Sequence, residues 1–121
     1  MRYMLLIYGP AEGGPSQEEI QAEMPRWFEY QAQIEQSGFF LAGEPLQGSE
    51  TATTVRVRDG ETLITDGPFA ETKELLGGYY LIDAPDEQTA IEWASKMPNI
   101  GYGSVEVRPV MEIPASAEAQ S

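Results

Sequence analysis

The sequence contains no histidine and no cysteine, and only seven of its 121 residues are lysine or arginine. Each shortage removes a class of chemistry. Without imidazole there is no side chain whose ordinary pKa lies at neutral pH, so His-based proton shuttles and Ser-His-Asp triads are excluded. Without thiols there is no disulfide scaffold, no thiolate zinc site and no cysteine nucleophile. A metal would need carboxylates alone, and no EF-hand spacing is present, so neither a metal nor a cofactor is expected. Twenty acidic residues bring the formal charge to -13. Such a surface repels phosphate backbones and anionic membranes, which argues against nucleic-acid and membrane partners. It keeps a small domain soluble and leaves room for a basic protein partner. No apolar run approaches the roughly 18 residues of a membrane span. The stretch after Arg2 is too short for a signal peptide and lacks a small-residue cleavage site, so a cytoplasmic location is expected.

The length suits one domain, expected over residues 1–113, with the small and polar residues 114–121 as a disordered tail. Arg2 to Tyr8 is nearly continuous in apolar and aromatic residues, as in a strand covered on both faces. A Gly- and Pro-rich loop follows over residues 9–15. It joins a strand to a helix, but lacks the spacings of a P-loop or a dinucleotide site. Ser16 and Glu19 have capping-box spacing, which predicts a helix from Gln17 ending near Gly38. Its buried stripe is expected at Ile20, Met24, Trp27, Phe28, Gln31 and Ile34, with a kink or break near Met24 imposed by Pro25. Phe39 to Ala42 predicts a short strand. Thr53–Arg58 and Glu61–Thr65 flank Asp59-Gly60 as a hairpin. Gly78–Asp83 predicts a strand, Asp86 caps a second helix with Ala90, Trp93, Ala94 and Met97 inward, and Ser104–Val110 predicts a last strand.

The order is α+β: a ferredoxin-like βαββαβ pattern with an extra short strand or hairpin, and an antiparallel sheet carrying both helices on one face. The strands near Tyr3 and Gly78 are apolar on both faces, so the second face also needs a cover. A second copy is the economical one, and two facing sheets would make a dimeric α/β barrel.

Candidate site residues crowd after the hairpin. Asp66-Gly67-Pro68 reads as a turn, yet Phe69, Glu71, Lys73 and Glu74 follow within one loop, and mixed charge beside an aromatic is common at binding sites. Glu106 and Arg108 share the strand face opposite Val105 and Val107. If that face lines a barrel interior, Arg108 can hold an anionic substrate; if it faces solvent, the pair only flanks a strand. Glu44 before Pro45 has the same two readings. One of Tyr79 and Tyr80 must point to each side of its strand.

The run Asp66-Gly67-Pro68-Phe69-Ala70-Glu71-Thr72-Lys73-Glu74, together with Gly77-Gly78-Tyr79-Tyr80 and Val105-Glu106-Val107-Arg108-Pro109-Val110, resembles the signature of the YCII-related family, DGPF type. Ala42-Gly43-Glu44-Pro45-Leu46 and Ala90-Ile91-Glu92-Trp93-Ala94 fit as well, so the likeness runs from about Arg2 to Ile113. It implies a dimeric ferredoxin-like α+β barrel, a largely unassigned biochemical role, and gene neighbourhoods shared with extracytoplasmic-function sigma factors. The wider group is discussed around a His-Asp pair, which this chain cannot form. Asp66 is then the best catalytic candidate, but it would need burial or a like-charged neighbour such as Glu71 to be tuned for proton transfer.

Two functional readings follow, and the sequence leaves open whether the chain is an enzyme. In the first, a homodimer binds or transforms a small polar metabolite in a pocket lined by Asp66, Phe69, Glu71, Lys73, Glu44, Arg108 and Tyr79. In the second, the chain is a regulatory or interaction module linked to a sigma factor. A purely architectural role for the Asp66 motif stands beside both.

Overall fold

The computed structural model describes residues 1–68 and 72–114. Phe69, Glu71 and the tail from residue 115 lie outside the described residues. Six strands and two helices occur in the order β1 (Arg2–Pro10), α1 (Gln17–Gln36), β2 (Phe40–Pro45), β3 (Thr53–Arg58), β4 (Glu61–Asp66), β5 (Glu74–Asp83), α2 (Glu87–Ser95) and β6 (Ser104–Pro109). Four strands form one sheet in the order β2-β5-β1-β6, and every neighbouring pair is antiparallel. This is the ferredoxin-like order. Its second strand is the short Phe40–Pro45 segment, so the extra element is the hairpin, which stands as a separate two-stranded ribbon of β3 and β4.

Local signals account for most boundaries. Ser16 accepts from the Glu19 amide and Glu19 returns the bond to the Ser16 amide, closing the capping box of α1. Gly38, at φ 82°, reverses the chain after α1. Asp86 accepts from the amide and the hydroxyl of Thr89 to start α2. Asp59 and Gly60, at φ 52° and 76°, supply the two left-handed residues of the ribbon turn.

For α1, the expected break at Pro25 and the Ile20, Met24 and Phe28 half of the expected stripe need correction. The helix runs unbroken through Pro25. Proline removes one N–H from the ladder, and here the residue it would serve, Gln21, is exposed, so water can take that carbonyl's bond. The buried stripe is also turned from the expected one. Tyr30 and Ile34 are buried, with Glu23 and Trp27 half-buried beside them, whereas Ile20, Met24 and Phe28 are exposed.

Both helices cover one face of the sheet. Tyr3, Leu5, Tyr80 and Ile82 point from β1 and β5 into Tyr30 and Ile34 of α1, Ala90 of α2, and Met97 just beyond it. Trp27 and Trp93 pack against this core, as expected. Tyr30 anchors the layer by donating to the Trp93 carbonyl at 2.9 Å and meeting the Tyr80 ring edge-on at 5.4 Å. The Tyr80 hydroxyl donates to Gln31 at 2.8 Å.

Burial has a consequence for alkaline stability. The Tyr102 phenol is pushed up to about 12, first by desolvation and then by donating to the Glu23 carboxylate. Desolvation also raises the phenols of Tyr30 and Tyr80. The folded state therefore holds these protons more tightly than the unfolded chain does. Their contribution is complete below the ordinary tyrosine value of 10.0 and declines as pH climbs from there through about 12. Urea melts across that window should show stability falling, and falling less steeply in Tyr102→Phe. Parallel slopes for the two proteins would refute the assignment.

Candidate functional site

The face of the four-stranded sheet turned away from the core carries neither of the two helices. Strand register assigns its residues. One rung reads Glu44, Tyr79, Leu6 and Glu106 across β2, β5, β1 and β6. The next reads Ala42, Leu81, Met4 and Arg108. Beyond a bulge between Ile7 and Tyr8, a third contains Leu76, Tyr8 and Ser104. Met4, Leu6, Tyr79 and Leu81 are half-buried, so the centre of this face is apolar and its margins are ionisable.

Hydrogen bonds fix the β6 margin. Arg108 donates to Glu106 Oε2 at 2.5 Å, and Tyr8 donates to Glu106 Oε1 at 3.4 Å. The bond from Arg108 holds the Glu106 carboxyl below its ordinary range and holds Arg108 above its own. Glu106 is thereby a poor proton acceptor at neutral pH and a good anchor, because it orients a guanidinium and a phenol at once. Ser104 Oγ donates to Glu74, with both carboxylate oxygens within 3.0 Å. Lys73, Glu74, Thr72 and Tyr8 line a shallow depression at this end. Among the described residues, no group of three or more His, Cys, Asp or Glu side chains is placed to hold a metal ion.

The sequence candidates divide between two sheets. Glu44, Tyr79 and Arg108 share the open face, with Glu44 and Arg108 exposed at opposite edges and Tyr79 between them. Lys73 is exposed just before β5, and its carbonyl accepts from the Ala11 amide at 2.8 Å. Asp66 is exposed at the end of the ribbon, opposite Thr53. Gly67 follows at φ 98°, and its amide donates to the Ala52 carbonyl while its own carbonyl accepts from the Thr54 hydroxyl, which ties the start of the motif to the ribbon. Phe69 and Glu71 lie outside the described residues. Tyr8 and Ser104 are participants that sequence reasoning missed, and Glu74, noted only as part of the charged run, joins them. The bulge brings them to the same end of the sheet, and the Gly77-Gly78 pair opposite it was the available signal.

The sequence profile of the YCII-related domain matches residues 1–114. The chain belongs to the YCII-related family. A protein of Rhizobium meliloti (strain 1021) of uncharacterised role is 49% identical over 61 residues, which is 49% of each chain. That match spans about half the length of the relative. Among solved structures, this YCII-related chain is similar to the 5-chloro-2-hydroxyhydroquinone dehydrochlorinase of Burkholderia phenoliruptrix AC1100, determined in complex with 2,5-dihydroxybenzoquinone. The TM-score is 0.53 at 13% identity, over 93% of this chain and 95% of the other. At that identity the likeness establishes the α+β fold alone. No helix among the described residues is long and apolar enough to cross a membrane.

Proposed function

We propose that this YCII-related protein is a homodimer in which two open sheet faces oppose one another and enclose a site for a small, oxygen-rich metabolite. The observation that carries this reading is the makeup of the face. Its centre of Met4, Leu6, Tyr79 and Leu81 is apolar and only half-buried, and Tyr8, Glu44, Glu106 and Arg108 border it with polar groups. Arg108, held in place by Glu106, directs its remaining N–H groups at a carbonyl or carboxylate oxygen. Tyr8 offers a phenol for a ligand hydroxyl, and Glu44 accepts from the opposite edge. Lys73, which lines a depression together with Tyr8, extends the site at its rim. A hydroxylated quinone of the kind held by the structural neighbour has the matching flat ring and ring oxygens.

Isothermal titration with 2,5-dihydroxybenzoquinone and a panel of small hydroxylated carboxylates tests the reading. Arg108→Ala removes a charged hydrogen bond and should weaken binding roughly ten- to a hundredfold. Arg58→Ala, out on the ribbon, should leave it unchanged. Equal losses in both variants, or a panel in which nothing binds the parent protein, would overturn the proposal. Recovery of a basic protein partner in a salt-sensitive complex would instead favour the regulatory reading, which otherwise rests on the net charge of -13.

A further inference from the structure

A cleft of about 130 Å³ lies between α1 and the end of α2, lined by Arg26, Glu29, Tyr30, Gln33, Lys96 and Pro98. The first four stand at i, i+3, i+4 and i+7 of α1, so one helical stripe makes a whole wall. Tyr30 and Pro98 are buried and form the floor, and the other four side chains are exposed at the mouth. Its cations are left over. Acidic residues outnumber basic ones by 20 to 7, yet neither Arg26 nor Lys96 forms an ion pair among the described residues. The reasons are local. Glu23, three residues before Arg26, commits its carboxylate to the Trp27 indole at 2.9 Å and the Tyr102 hydroxyl at 2.8 Å. Glu29, three residues after it, accepts from Gln33 at 3.4 Å. Glu92 precedes Lys96 by four residues, the favoured spacing for a helical ion pair. Lys96 Nζ nevertheless lies over the Trp93 ring, 4.5 Å from its centroid.

We infer that this cleft binds the carboxylate of a small organic acid, with the Arg26 guanidinium and the Lys96 ammonium donating to its oxygens. Size, charge and shape define the class. A water molecule's share of liquid volume is about 30 Å³, so the cleft has room for about four waters, enough for a carboxylate and an adjoining carbon or two. Glu29 offsets one of the two cations, so the lining keeps a single net positive charge, which suits a monoanion and opposes a doubly charged phosphate. A guanidinium presents paired N–H groups in the plane that a carboxylate matches. Arg26 belongs to α1 and Lys96 to the end of α2, so an anion between them ties the two helices together. Bound carboxylate should therefore stabilise the fold as well. Both helices lie on the core side of the sheet, away from the open face, so this inference does not depend on the proposed function.

Acetate is the probe for the test. It is titrated to about 0.1 M into isotope-labelled protein, with sodium chloride holding the ionic strength fixed so that screening does not change. Proton–nitrogen correlation spectra should show saturable shifts at the amides flanking Arg26, Gln33 and Lys96. Arg26→Gln and Lys96→Gln, both at exposed positions, should each weaken binding roughly tenfold, and the double variant should show no saturation. Arg108→Ala, on the open sheet face, should bind acetate as the parent does. Shifts that never saturate, or that persist in the double variant, overturn the inference. Loss of binding in Arg108→Ala alone also overturns it, because the carboxylate would then occupy the sheet face. Inorganic phosphate binding more tightly than acetate refutes the assignment to a carboxylate.

Discussion

Replacing Leu6 by glutamate is expected to dissociate the proposed face-to-face dimer into monomers that still fold. Leu6 occupies the middle of the open sheet face, between Tyr79 and Glu106. It is half-buried in the single chain, so the substitution alters the fold little: the new carboxylate can stay hydrated as long as that face is open. Association changes the balance. Opposed faces would strip water from the carboxylate, and desolvating a charge costs several kcal/mol even after relaxation. A two-fold axis makes the cost occur twice, and Glu106 adds like-charge repulsion beside each copy. A loss of about 4 kcal/mol corresponds to roughly a thousandfold rise in the dimer dissociation constant. Sedimentation velocity at micromolar concentration should show half the parent mass, with an unchanged melting profile by circular dichroism in the far ultraviolet. A variant that sediments like its parent would show that the open faces are not what holds the two copies together.

What could be read beforehand was local. The Ser16–Glu19 box, the Asp59-Gly60 turn and the Asp86 cap each depend on residues within a few positions of one another, and each formed as expected. The period-two alternation of β6 correctly put Glu106 and Arg108 on one face, away from Val105 and Val107. What escaped was decided by partners distant in sequence. Two stripes on α1 have helical spacing, Ile20–Met24–Phe28 and Glu23–Trp27–Tyr30–Ile34, and periodicity alone does not rank them. The second is buried because Tyr30 finds the Trp93 carbonyl and Glu23 finds the hydroxyl of Tyr102, contacts that no local pattern announces. Likewise Phe40–Pro45 is an edge strand of the ferredoxin-like sheet although it is short and contains Gly43 and a terminal proline. Pairing with β5 compensates for its weak propensity. The site divided in the same way. Arg108 was visible from alternation and Glu74 from the charged run, whereas Tyr8 and Ser104 depend on a shift in register that only the paired strands reveal.

That shifted end of the sheet is also where a single methyl group should do the most damage. A Cβ built on Gly103 lies 2.3 Å from the Tyr8 carbonyl oxygen and 3.1 Å from the Asn99 side-chain nitrogen. Neither neighbour can yield cheaply. The Tyr8 oxygen is backbone in the β1–β6 ladder, and Asn99 is 4% exposed, donating to that same oxygen at 3.2 Å. Gly103 is itself pinned, with its amide donating to the Asn99 carbonyl at 2.7 Å. Gly103→Ala must therefore push β1 and β6 apart at the rung of Tyr8 and Ser104. Overpacking of this kind costs about 3 kcal/mol when backbone has to move, or roughly 10 °C in Tm for a domain of this size. The side chains on that rung are the Tyr8 phenol bound to Glu106 and the Ser104 hydroxyl bound to Glu74, so ligand affinity should fall along with stability. Gly101→Ala is the matched control, because a Cβ there meets nothing within 4 Å. Thermal melts and titrations of the pair would decide the point. If Gly103→Ala melts with Gly101→Ala, the strands are loose enough at this end to absorb a methyl group. If it melts lower but binds as the parent does, the Tyr8 rung supports the fold and takes no part in the site.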